Sequence, residues 1–129
     1  MQYTNFLAVG AGAALGAWSR WGLGLLLNGL LPALPLGTLA ANLIGGYLIG
    51  IAIGVFHLNS GLPVALKLFA ITGFLGGLTT FSSFSGEVVE RLLANQLGWA
   101  IVAMLTHLVG SLCMTWLGLW TVGAHRLWG

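Results

Sequence analysis

Charge is what this chain has least of: four Lys/Arg and two Glu are spread over 129 residues, and aspartate is absent. So few basic side chains cannot build the patch that grips a phosphate backbone, which excludes a nucleic-acid partner. Cysteine occurs once, as Cys113, so neither an internal disulfide nor a redox or zinc thiol pair can form. The histidines His57, His107 and His125 stand far apart, without an HExxH pattern or a carboxylate at ligand spacing. No nucleophile, base and orienting group occur together, so the chain is not expected to be an enzyme.

What remains is overwhelmingly apolar, 58% of the residues, more than a soluble domain of this length can hide within itself. The lipid bilayer is therefore the expected partner. The opening MQYTNFLAVGAGAALGAW has no basic start and runs past the length of a signal-peptide core, so it is expected to be a retained membrane helix.

A bilayer-spanning helix needs about 20 apolar residues. Turn-forming NGLLPALPLG and HLNSGLP, together with the short connection at Asn95 and Gln96, divide the chain into four such segments. The expectation is one transmembrane domain over residues 1–129, with helices near 5–28, 36–57, 64–94 and 97–125. Tryptophans near the segment ends, Trp18, Trp21, Trp99, Trp116, Trp120 and Trp128, fit interfacial anchoring. With four crossings, Lys67 and Arg126 fall on one side and Arg20 and Arg91 on the other. Two against two gives insertion no preferred direction, which points to a dual-topology protein and to an antiparallel homodimer. Gly12 with Gly16, and Gly46, Gly50 and Gly54, are contact stripes for close helix packing within or between subunits.

The third segment is about 30 residues, or about 45 Å as an unbroken helix, longer than the hydrocarbon core. A break is expected at Gly76 to Thr80, within GFLGGLTTFSSFSGE. Backbone groups freed there must be satisfied either by neighbouring hydroxyls in a simple kink or by a small cation held at a dimer axis. Phe81 and Phe84 share a helix face, either as packing or with their electropositive ring edges turned to an anion. Asn42, Ser111 and Thr115, with His107 one turn earlier, are either interhelical glue or donors replacing the hydration of an anion. Arg20 is read as an anion funnel or as a snorkelling side chain. Glu87 and Arg91 are spaced for a helical ion pair.

Taken together, GFLGGLTTFSSFSGE, GTLAANLIGGYLIG, the GAWSRW around Arg20 and GSLCMT closely resemble the Fluc or CrcB family of bacterial fluoride channels over nearly the full length. The resemblance implies an all-α membrane protein with four transmembrane helices per subunit, a broken third helix, and an antiparallel dual-topology homodimer. It implies passive, fluoride-selective export across the bacterial inner membrane, which confers fluoride resistance. By the same resemblance Phe81, Phe84 and Asn42 line the fluoride pore, Ser111 and Thr115 lie on its polar track, and Ser82, Ser83 and Thr38 are further donors. Arg20 and Glu87 match charged positions near the pore and vestibule. The carbonyls of Gly76 and Thr79 from both subunits would hold a structural Na+ at the dimer axis. The competing transport class, a small dual-topology multidrug exporter, needs a carboxylate in the first segment, which has none.

Overall fold

The computed structural model describes residues 2–128, which are helical throughout apart from short connections and contain no strand. Helix α1 is Gln2–Leu27, α2 is Leu36–Leu58 and α5 is Leu97–Thr121. Between α2 and α5, α3 is a continuous run of Val64–Lys67, a π-type stretch Leu68–Leu75 and a last turn Gly76–Leu78; α4 is Phe81–Leu93. Among the described residues, three stretches are long and apolar enough to cross a membrane: Leu36–Leu58, Val64–Leu93 and Leu97–Thr121. Helix α1 has the length, 26 residues, but its glycines, tryptophans and Arg20 dilute its hydropathy.

The fourth segment ends earlier than expected, at Thr121. Gly123 takes a left-handed φ of 74°, which a residue without Cβ adopts at little cost, and the chain then closes in a 3-10 turn at Ala124–Leu127 that carries His125. In the third segment the departure from helix falls within the expected Gly76 to Thr80 stretch, at its end. Gly76 and Gly77 are still helical, and the residues that leave the helix are Thr79 (φ −84°, ψ 152°) and Thr80 (φ −148°, ψ 112°).

The glycines serve packing instead. A Cβ at Gly77 would meet the Ala13 carbonyl, and one at Gly12 the Phe69 carbonyl, so α1 and α3 touch backbone to backbone. Likewise a Cβ on Gly46 would lie 2.9 Å from the Ser111 carbonyl, and those of Gly50 and Gly118 would strike the facing helix of the α2–α5 pair. The contact stripes read from the sequence are thus used between helices of one chain.

One local device was invisible in the sequence. Pro35 starts α2 and offers no side-chain cap, yet the Gly37 and Thr38 amides donate to Asn28 Oδ1 at 2.7 and 3.2 Å. These are the amides that an N-cap side chain would satisfy, so Asn28 caps α2 from the 3-10 turn (Asn28–Leu30) that ends α1. Asn28→Ala is expected to cost about 1 kcal/mol and lower the unfolding temperature in detergent; an unchanged melting curve would show that water caps α2 as well.

Candidate functional site

The threonines organise the site. Thr80, extended before α4, accepts the Ser83 amide on Oγ1 at 3.1 Å and so caps the new helix; Ser82 and Ser83 place their hydroxyls 3.2 Å from the same oxygen. The Thr80 amide, no longer helical, donates to Asn42 Oδ1 at 2.7 Å, while Asn42 Nδ2 donates to the Thr80 carbonyl at 3.1 Å and pairs with His107 Nδ1 at 3.0 Å. Asn42 therefore ties α2 to the extended residues and to α5, with both of its amide hydrogens engaged.

These diversions leave carbonyls behind. In an unbroken helix the Gly76 carbonyl would accept from the Thr80 amide, and the Thr79 carbonyl from the Ser83 amide. Those two donors are taken by Asn42 and by the Thr80 hydroxyl. The Gly77 carbonyl is satisfied differently, by Arg20 Nε at 3.0 Å. Arg20 thus caps the carbonyl end of α3, where a cation is also favoured by the helix dipole. Neither sequence reading of Arg20, funnel or snorkel, included this.

Two cavities flank this region. The central one, about 470 Å³, is lined by Asn42, Gly45, Gly46, Ile49, Ile71, Leu75, Gly76, Thr79, Thr80, Phe81, Phe84, His107, Leu108, Ser111, Leu112 and Thr115. It brings together Asn42, Phe81, Phe84, Ser111 and Thr115 with Gly76 and Thr79. No Asp, Glu, Lys or Arg is among the lining residues. The second, about 370 Å³, is lined by Arg20, Trp21, Gly24, Leu25, Asn28, Thr38, Ser83 and Glu87. Thr38 and Ser83 therefore line the cavity that holds Arg20 and Glu87, not the one lined by Phe81 and Phe84. Ser82 lines neither cavity and is exposed.

The aromatic geometry is defined. The rings of Phe81 and Phe84 meet edge to face, 5.5 Å apart at 78°, and Phe84 stacks on His107 at 4.6 Å and 25°. The stack covers one face of Phe84, whose negative potential would repel an anion. Phe84 is buried whereas Phe81 is 74% exposed, so Phe81 flanks an opening of the cavity that this chain does not wall off. The hydroxyl of Thr115 is spent on the Gly46 and Ser111 carbonyls at 2.8 and 3.0 Å. Among the described residues, Ser111 Oγ has no protein hydrogen bond and remains available to a ligand.

Glu87 and Arg91 do not form the expected pair: Arg91 Nη1 donates to Gln96 Oε1 at 2.9 Å, and Glu87 Oε1 is buried without a hydrogen-bond partner among the described residues. His107, only 3% exposed, is the residue that sequence reasoning undervalued. Its signal was its i,i+4 relation to Ser111, which placed it on the polar face of α5.

Residues 7–119 match the family described as CrcB-like protein, Camphor Resistance (CrcB). The chain is 68% identical over 124 residues to the "Fluoride-specific ion channel FluC" of Dechloromonas aromatica, covering 96% of this chain and 92% of that protein. Proteins of the same name from Cupriavidus taiwanensis and Nitrosospira multiformis are 63% identical over 117 residues and 66% over 115. These cover 91% and 89% of this chain and 93% and 90% of theirs.

Proposed function

The chain belongs to the CrcB-like protein family, and from that premise we propose that it is a fluoride-selective channel, a membrane transport protein with no enzymatic step. The observation that carries this reading is the central cavity. It has hydroxyl, amide and aromatic-edge groups in its lining and no Asp, Glu, Lys or Arg, in a chain similar to proteins named for fluoride. A small anion entering such a space loses strongly held water, and each lost contact must be replaced by a protein donor. Ser111 Oγ–H is free to donate, and the rims of Phe81 and Phe84 supply partial positive charge without the full charge that would trap the ion. Fluoride then moves down its gradient, and a cell expelling it this way gains resistance to it. A bacterial inner membrane is the setting in which such a gradient exists.

The finer architecture belongs to the same proposal. Four crossings are formed by α1, α2, the α3–α4 run and α5, the third being broken at Thr79 and Thr80. The two basic residues near each end of the bundle favour dual topology. An antiparallel second copy would wall the open side of the cavity beside Phe81 and Gly76. Na+ suits the axis of that dimer because the Gly76 and Thr79 carbonyls have lost their helical donors and both residues line the cavity. Two carbonyls per chain are too few to hold a cation, and a second chain doubles them. When bound, Na+ would supply the positive charge that these two donor-less carbonyls can accept, and so would hold the break. A multidrug-type exporter is disfavoured by both the relatives and the absence of a carboxylate from α1.

The test is efflux from proteoliposomes, with fluoride compared with chloride. Fluoride is expected to leave rapidly and chloride at the background rate. Phe81→Ile and Phe84→Ile each replace an aromatic rim with aliphatic hydrogens of little polarity, and both are expected to reduce fluoride efflux at least about tenfold while the protein stays monodisperse. Undiminished flux in both variants would remove the rings from the conduction path.

A further inference from the structure

The hydrogen bonds around Asn42 determine more than the helix break. The Thr80 amide can only donate, so the Asn42 atom 2.7 Å away is its carbonyl oxygen Oδ1 and the other is Nδ2. Of the two hydrogens on Nδ2, one goes to the Thr80 carbonyl at 3.1 Å, which can only accept; the second faces His107 Nδ1 at 3.0 Å. His107 Nδ1 must therefore accept, and the single proton of the neutral ring resides on Nε2. Nε2 is buried and has no partner among the described residues. The same ring lies flat on Phe84, at 4.6 Å and 25°. One side chain thus orients both the amide that pins the break and a ring at the proposed pore.

We propose that His107 is a positioning residue of the pore: as the Nε2–H tautomer it accepts the Asn42 amide on Nδ1 and backs the Phe84 ring, so conduction requires an unprotonated Nδ1. This rests on the channel reading above. A proton on Nδ1 turns the acceptor into a donor that faces another donor. The Asn42 amide must then turn away, and the Thr80 contacts loosen with it. Among the described residues no other titratable side chain lines the central cavity, on α2, α3, α4 or α5. The charged groups of the adjoining cavity are Glu87 on α4 and Arg20 on α1.

Fluoride efflux from proteoliposomes, measured from about pH 8 down to about pH 4.5, a range that extends well to both sides of the ordinary histidine value, reads the proposal directly. Wild-type flux is expected to fall as the pH is lowered. His107→Gln retains an acceptor oxygen without a titrating nitrogen, and its flux is expected to be flat across that range. His107→Phe retains the stack but not the acceptor and is expected to lose about tenfold at every pH. Equal pH profiles for wild type and H107Q, or wild-type flux in H107F, would overturn the assignment. Nitrogen NMR of the wild-type protein labelled with 15N-histidine supplies a readout that needs neither variant nor flux. A bare Nδ1 and a protonated Nε2 at neutral pH are expected, and a proton on Nδ1 overturns the proposal. If the wild-type protein conducts no fluoride, the channel reading fails while the tautomer is still decided by the spectrum.

Discussion

Asn42→Asp is expected to abolish fluoride efflux, by at least about 100-fold, in protein that still elutes as one species. The wild-type amide uses one acceptor and two donors, to the Thr80 amide, the Thr80 carbonyl and His107 Nδ1. A carboxylate retains only the first of these. Its second oxygen would face the Thr80 carbonyl and the His107 lone pair, and each buried acceptor left without a donor costs about 1–3 kcal/mol. Two such losses correspond to one to several factors of ten at about 1.4 kcal/mol each. A negative charge beside an anion path adds repulsion on top. Asn42→Ser separates the two effects, because it removes the bonds without adding charge; an intermediate rate is expected. Flux in Asn42→Asp within threefold of wild type would mean that neither the pinned break nor the lining matters to conduction.

The sequence shows Asn42 as a polar residue in an apolar helix, which suffices to mark it, but not its partners. Thr80 is 38 positions away and His107 is 65, and no periodicity indicates which helices become neighbours. The same limit hid Arg20, whose partner Gly77 is 57 positions away, and left open that Thr38 and Ser83 share a cavity with Glu87. Local chemistry was more legible. Hydroxyls competing with helical bonds pointed to GGLTT, and it is the threonines of that string whose backbone is extended. The glycines misled because a missing Cβ has two uses: it loosens a backbone, and it lets two backbones touch. Gly73 and Gly77 face the Val9 and Ala13 carbonyls of α1, so here the second use prevails. Apolar length and turn chemistry likewise marked four segments; three of them are long and apolar enough to cross a membrane, and α1 has the length, with small residues such as Gly12 and Gly16 that let it pack against α3.

That second use of glycine carries the largest expected effect on folding. A Cβ on Gly50 would strike the Thr115 carbonyl and lie 3.0 Å from both Gly118 Cα and Leu119 N, all of them backbone atoms that cannot rotate away. The α2–α5 contact cannot relax at one point only, because Gly46 and Gly118 press on the opposite helix in the same register. Gly50→Leu is therefore expected to separate the two helices along their length, at a cost above about 3 kcal/mol, typical of severe overpacking. It would also move Asn42 and Gly46 away from His107, Ser111 and Thr115, so any protein recovered should neither elute as a single species nor pass fluoride. Gly10→Leu is the matched control. A Cβ there meets nothing within 4 Å, so the same gain in bulk should leave elution and flux near those of the wild type. If Gly50→Leu behaves like Gly10→Leu, α2 and α5 are not held at backbone contact, and the cavity between them is not the rigid donor-lined space on which anion passage depends.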